Sequence, residues 1–408
     1  MDRNVVITGI GVLSPIGIGR DDYWKGLFQG KTGFKEITLF AAAPFHLSLG
    51  GEIPDFDPLA FLGKKGLREL DRSTRLLCSA ARLALDDGRL ELTDSVAYST
   101  GVSIGATFGS LHSIVQFDRS RILEGPKAVN PSLFPNTVIN SPASHVSIRF
   151  GIKGFNTTIS TGFCASLDAV IYAADFIRLN RAEAVLAGGV EELCEETFFG
   201  FHKLGCLSGL DGSEAVSRPF DAKRNGVILS EGAAILILEN ERHAIKRNAV
   251  VYAHVMGYGN AFDPAADWNF KHPGEGLKNA IAHALKEAEL VPEEIDYICS
   301  CSNSTIGLDR MESKVIKDIF GRRAYTIPAS SIKSMVGESL SASGALALVA
   351  AVGAMQNGRI PPTMNYRNAD PDCDLDYVPN QSRPGDIRTV LVTSTDPFGQ
   401  NTAVIIGR

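Results

Sequence analysis

Paired cysteines at metal or disulfide spacing are missing from this chain, and so is a basic tail. The seven cysteines, Cys78, Cys164, Cys194, Cys206, Cys299, Cys301 and Cys373, are odd in number and none stands in a CxxC. That argues against a disulfide framework or a zinc ribbon and favours buried free thiols in a reducing compartment. Cys299 and Cys301 would share one face if both lay in a strand. Forty lysines and arginines face 46 aspartates and glutamates, for a formal net charge of −6. A general nucleic-acid binder, which needs a basic face, is not expected. No run of about 18 apolar residues stands out and the chain starts on a strand-like segment, so neither a membrane span nor a signal peptide is expected, and the location reads as cytoplasmic. Low-complexity segments are also absent. What is present is 44% hydrophobic and 21% charged residues over 408 positions. That is too long for one small domain, and it can bury a large core.

Strand-like and helix-like segments alternate along the chain. "NVVITGIGVLSPIG" is an apolar, β-branched run ending in Gly and Pro, a buried strand and turn. "STRLLCSAARLALDD" has apolar residues at helical spacing, with Asp71 or Ser73 as N-cap. "CASLDAVIYAADFIRLNRA" is apolar almost all round, which predicts a central helix. "AVLAGGVEE" reads as a buried strand stopping at its paired glycines, followed by the loop "SRPFDAKRNGVILSEG" and the strand "AAILILE". From about residue 250 the order resumes: strand "AVVYAHVMGYG", helix "GLKNAIAHALKEAEL", strand "DYICSCS", helix "LSASGALALVAAVGAM", strands "TVLVTST" and "TAVIIG". The pattern predicts an α/β protein with buried sheets covered by helices, in two loosely duplicated halves, 1–250 and 251–408. The Pro-rich stretch "GRIPPTMNYRNADPDCDLDYVPNQSRPGD" reads as a long surface loop.

The segments "VVITGIGVLSPIG", "FGIKGFNTTISTG", "AGGVEE", "SRPFDAKRNGVILSEGAAILILE", "SSIKSMVGESLSASGA" and "DPFGQN" are ordered and spaced in a way that resembles the β-ketoacyl-[acyl carrier protein] synthases of the thiolase superfamily. The resemblance spans essentially the whole chain. It implies a thiolase-like fold of two duplicated halves in α-β-α-β-α layers, no cofactor and no metal. It also implies a site in which a Cys at the head of a buried helix is activated by backbone N–H groups and the helix dipole. Two histidines, a lysine and a gated glycine-rich loop complete the family's site.

The site motifs depart from that pattern. Where the family pattern resembles S-T-G-C-T-S-G-L-D-A-V, this chain has "STGFCASLDAV", and the flanking matches put Phe163 at the nucleophile position without a gap. Cys164 is one residue late; successive helical residues differ by about 100°, so its thiol should face elsewhere. Where the first histidine is expected, "CSNSTIGLDRMES" keeps Thr305, Asp309 and Glu312 in register and offers Cys301. Where the second is expected, "KSMVGES" keeps Lys333 and offers Glu338, a carboxylate that would repel an enolate and could pair with Lys333. The gate keeps Phe398 and Gly399, with Gln400 and Asn401 replacing the glycine continuation.

A retained scaffold with a degenerate site resembles the chain-length factor of type II polyketide synthases, the ketosynthase β subunit. By that resemblance no catalytic residue is expected in this chain. Its partners would be a ketosynthase subunit carrying the active Cys, an acyl carrier protein and, through the partner, the acyl chain, with no membrane or nucleic acid. Leu111, Ile114, Phe117 and Asp118 stand where such proteins line the acyl tunnel, three or four positions apart. They read equally as ordinary interface core. Lys64, Lys65, Arg68 and Arg72 resemble a carrier-docking patch, or else a solvated helix face. The competing expectation is a divergent active synthase or acyltransferase with Cys164 as its nucleophile.

Overall fold

The computed structural model describes residues 4–408. Among the described residues, the main path of the sheet takes five strands from the first part of the chain: β1 Val5–Ser14, β2 Thr100–Gly105, β3 Asn156–Ile159, β4 Ala184–Glu191 and β5 Gly232–Asn240. Five come from the second: β6 Ala253–Phe262, β7 Tyr297–Cys299, β8 Ala329–Ser330, β9 Thr389–Thr395 and β10 Gln400–Gly407. Along the hydrogen-bonded path they run β8-β7-β9-β10-β6-β1-β5-β4-β2-β3. Counted within each half, both sets follow the order first, fifth, fourth, second, third. Directions repeat as well. The first–fifth and fifth–fourth pairs are antiparallel, and the fourth–second and second–third pairs are parallel. The halves join where Val6 pairs with His254 and Ile7 with Ala253. Duplication is therefore present in connectivity although the residues barely repeat.

Seven of the helices flank the sheet and the site: α1 Arg72–Gly88, α2 Leu111–Glu124, α3 Ala165–Arg178, α4 Glu195–Lys203, α5 Glu275–Glu287, α6 Ile306–Phe320 and α7 Ser343–Asn357. Asp71 caps α1 by accepting the Thr74 N–H. α1 covers β1 and β5 on one outer face, and α5 covers β6 and β10 on the other. α3 and α7 lie between the two sheet halves and touch each other. This is the α-β-α-β-α layering that the resemblance implies. With helices on both faces of each half, strands such as β1 and β4 are buried at every position, so their sequences are apolar runs and do not alternate.

Four expectations change. β4 continues through Gly188 and Gly189 to Glu191. β7 ends at Cys299, so Cys299 joins the core around α7 while Cys301 joins the one around α5 and α6. The Pro-rich stretch is no simple surface loop: Thr363, Cys373 and Tyr377 are buried, and Tyr377 stacks on Phe220 at 3.7 Å. The segment Leu340–Asn357 is long and apolar enough to cross a membrane, but it is largely buried and includes the central helix α7.

Candidate functional site

The heads of the two central helices meet. From β3 the chain passes into a 3-10 turn, Gly162–Cys164, that leads into α3; a second such turn, Leu340–Ala342, leads into α7 and touches the first. Gly162 is required there, because its φ is +59° and a Cβ would lie 1.8 Å from Asp396 Oδ2. Side chains one step apart on such a turn diverge by about 120°, and Phe163 and Cys164 do part company.

Phe163, 6% exposed, sits in a cluster with Leu193, Phe198, Phe201 and Leu340. Its ring stacks on Phe201 of α4 at 6.3 Å between centroids. Phe201 meets Trp268 edge-on at 6.0 Å, and Trp268 meets Phe398 at 5.1 Å. An aromatic column thus runs from the head of α3 to Phe398, which is 66% exposed. Gly399 beside it holds φ +107°, and a Cβ there would lie 2.4 Å from the Asp263 carbonyl oxygen. Cys164 faces the other way and is fully buried, its thiol donating to the Gln400 carbonyl at 3.3 Å. Burial, reinforced by the charge of Asp168, pushes that thiol well above its ordinary pKa. An activated thiol needs the opposite environment, electropositive and within reach of solvent.

Around the head of α7 lies a buried ion pair. Lys333 Nζ stands 2.8 Å from Glu338 Oε2, with side chains 8% and 1% exposed. Asn303 Nδ2 donates to the same oxygen at 3.0 Å, while the Leu340 N–H and the Ser343 hydroxyl donate to Oε1 at 3.1 and 2.7 Å. Glu338 is therefore a fully bonded acceptor. Although burial works against the charge, Glu338 holds the Lys333 ammonium above its ordinary value. Cys301 is buried nearby, its thiol pushed well up by burial and then by the charge of Glu312. Thr305 precedes α6 and donates to Asn303 Oδ1 at 2.8 Å. Asp309 accepts the N–H groups of Phe220 and Asn303 at 2.8 and 3.0 Å and lies 3.4 Å from Arg224, and burial raises its carboxyl to about 6. It ties α6 to the loop "SRPFDAKRNG". A groove of about 630 Å³ opens beside the column, with Trp268, Asn225, Thr305, Ile306, Arg310 and Lys314 among its walls.

The backbone donors at the head of α3 are occupied too. The Phe163 N–H donates to Asp396 Oδ2 at 3.0 Å and the Phe398 N–H to Oδ1 at 2.8 Å. Neither Asp396 nor the partners Phe201, Trp268 and Asn303 was singled out from sequence. Asp396 does stand in the quoted "DPFGQN", where an Asp-Pro pair marks a turn. The aromatic partners come from distant segments with no local signal.

The remaining candidates lie elsewhere. No residue of α2 is buried: Leu111, Ile114 and Phe117 are half-buried, Phe117 meets Phe134 at 6.0 Å, and Asp118 is exposed and pairs with Arg121. Ile122, Leu123 and Phe134 are 68%, 70% and 59% exposed. β3 forms the sheet edge, paired only with β2 among the described residues. Lys64, Lys65 and Arg68 are exposed in the loop before α1, not on a helix face. Arg72 departs from that set: its guanidinium grips the buried Glu231 at 2.5 and 2.6 Å.

Residues 2–244 match the beta-ketoacyl synthase N-terminal domain and residues 252–367 its C-terminal domain. The chain is 38% identical over its full length to 3-oxoacyl-[acyl-carrier-protein] synthase 2 of Coxiella burnetii, covering 99% of that protein. It is 36% identical, again over its full length, to the tetracenomycin polyketide synthase ketoacyl synthase alpha subunit of Streptomyces glaucescens, covering 97% of it. Among solved structures it is similar to the ishigamide ketosynthase/chain length factor, with TM-score 0.92, 34% identity and 99% of both chains covered. It is also similar to a chain of a type II polyketide synthase acyl carrier protein bound to its ketosynthase, with TM-score 0.90, 30% identity, 100% of this chain and 99% of that one covered.

Proposed function

The chain belongs to the β-ketoacyl synthase family, and from that premise we propose that it is the non-condensing, chain-length-factor-like subunit of a type II polyketide or related polyene synthase. Its halves, divided at residue 250, pair with those of a ketosynthase that carries the nucleophilic Cys, and the pair serves an acyl carrier protein. The observation that carries this reading is the head of α3. Phe163 points into the aromatic column, and the one thiol on that turn is buried on the other side with its pKa driven up. No side chain on that turn supplies a thiolate to the cavity, and at the family's histidine positions Cys301 and Glu338 supply no imidazole to stabilise an enolate.

Two further features support a partner. Among the described residues the outer edge of β3 has no neighbouring strand, and exposed Ile122, Leu123 and Phe134 gather apolar surface on and beside α2, a combination that suits association with a second subunit. The similar solved structures include a ketosynthase/chain length factor pair and a ketosynthase with its acyl carrier protein. Residues Leu111, Ile114 and Phe117 are then candidates to bound the partner's acyl tunnel, and Lys64, Lys65 and Arg68 to steer the carrier protein.

Acylation separates this reading from its rival. Incubated with acyl carrier protein thioester and its partner, the chain should show no mass increase while the partner takes all the label. Stable acylation of Cys164, abolished together with product formation in Cys164→Ala, would establish the rival acyltransferase. That rival draws on the names of the two relatives, both synthases. The depth and environment of the Cys164 thiol weigh against it.

A further inference from the structure

Asp396 is one of several buried carboxylates without an ion pair among the described residues, with Asp168, Glu191, Glu192 and Glu312, and it is the one set against the backbone of residue 163. It is 4% exposed, and no lysine, arginine or histidine pairs with it among the described residues. A buried charge without a cation is costly: burial raises the Asp396 carboxyl above its ordinary pKa, and two N–H bonds pull it part of the way back. Here its partners are backbone: the N–H of Phe163 at the head of α3 and the N–H of Phe398 across the turn, at 3.0 and 2.8 Å. The positive end of α3 adds the axial field of the helix. The two donors take opposite oxygens of the one carboxylate, Phe398 closing a turn two residues after Asp396 and Phe163 reaching it from the head of α3; with the carboxylate gone, both would be free for developing negative charge on a carbonyl oxygen.

The segment around Asp396 is fastened by its other members too. The Ser394 hydroxyl donates to the Phe163 carbonyl at 3.0 Å, and the Cys164 thiol to the Gln400 carbonyl at 3.3 Å. Gln400 Nε2 and the Thr402 hydroxyl reach opposite oxygens of Asp168 on α3, at 3.2 and 2.6 Å. Gly162 leaves room for the carboxylate where any other residue would collide with it.

We propose that residues 394–402 are a strap held over the head of α3, and that the Asp396 carboxylate fills the converging N–H pair as an internal substitute for an oxyanion. The site is then closed twice, once by the side chain at 163 and once by the strap, and restoring a thiol at 163 does not reopen it. This goes beyond the role proposed above, because it holds whether or not the chain pairs with a ketosynthase.

The test restores the thiol with and without the carboxylate. Phe163→Cys is compared with Phe163→Cys/Asp396→Ala and Phe163→Cys/Asp396→Asn by iodoacetamide alkylation near neutral pH, the label being assigned to position 163 or 164 by peptide fragmentation. With Asp396 present, the new thiol should react more slowly than a small free thiol. Removing the carboxylate frees two donors and takes away a repelling charge, so alkylation at 163 should rise about tenfold or more, the equivalent of one pKa unit. Asp396→Asn keeps the size and drops the charge and should give a smaller rise. Rates at 163 within twofold across all three would overturn the proposal, as would fast alkylation with Asp396 intact. Thermal melting checks folding, and if the Ala variant melts early the Asn variant decides alone. Acylation of native Cys164 by carrier protein would sink the non-condensing role and leave this inference standing.

Discussion

Replacing Lys333 with methionine removes one half of the buried pair at the head of α7. The 2.8 Å separation from Glu338 corresponds, at an effective dielectric of about 20, to roughly 6 kcal/mol of gross attraction. Desolvation of both ions offsets much of that, so the pair adds little net stability while each member depends on the other. Lys333→Met leaves a carboxylate that is 1% exposed with only the neutral donors Asn303, Leu340 and Ser343, and should cost about 3–5 kcal/mol. Glu338→Gln strands the ammonium instead, at a similar cost. The double variant replaces two charges with a neutral pair of like size and should cost no more than either single, which makes the coupling energy about 3 kcal/mol or more. Urea unfolding of the four proteins, read at matched slopes, gives the cycle. A coupling below about 0.5 kcal/mol would refute the argument, because it would mean that water reaches the pair or that the charges do not sense one another.

The other tests probe different parts of the molecule. Burial raises Glu191 to about 7, and burial together with Asp71 raises Glu192 to about 8, against 4.5 ordinarily. The folded chain therefore holds protons that the unfolded chain releases, so their contribution is full below about pH 4.5 and is lost as pH rises through 7 to 8. Urea midpoints should fall across that window, and Glu192→Gln should flatten the fall. Glu239 behaves oppositely. Burial works against its charge, but Arg247 and His243 lower it to about 2, so its contribution is present above 4.5 and fades as pH drops towards 2. Arg72→Ala leaves Glu231 buried without its cation and should cost about 3–5 kcal/mol, while Lys64→Ala and Lys65→Ala should stay within about 0.5 kcal/mol yet slow carrier-protein association in a salt-dependent way. Shortening Leu111, Ile114 or Phe117 to Ala should lengthen the products of the reconstituted pair, and unchanged lengths in all three would remove α2 from the tunnel.

What could be read in advance follows from how locally each feature is encoded. The buried strands β1 and β5 and the helix α7 announce themselves because burial on nearly every side produces near-continuous apolar runs, and α3 does so along most of its length. The Glu338–Lys333 pair was within reach because five positions separate the two residues. Arg72 falls in with Lys64, Lys65 and Arg68 because sequence shows charges side by side and conceals a buried partner 159 positions away. The stretch from Gly358 to Asp386 looked like a loop by composition, whereas Phe220 and Asp221 draw it into the core. Asp396 was invisible as an anion because its partners are two backbone N–H groups, and these carry no residue identity.

The aromatic column also equips the chain with its own optical probe. Of its two tryptophans, Trp24 is fixed in the core with its indole N–H bonded to the Val349 carbonyl, and Trp268 stands midway along the column between Phe201 and Phe398. With Trp24 changed to Phe, all tryptophan emission would come from the column. A colour shift or quenching on adding a partner subunit or an acyl carrier protein would then register movement at this face directly, without any label and without any turnover.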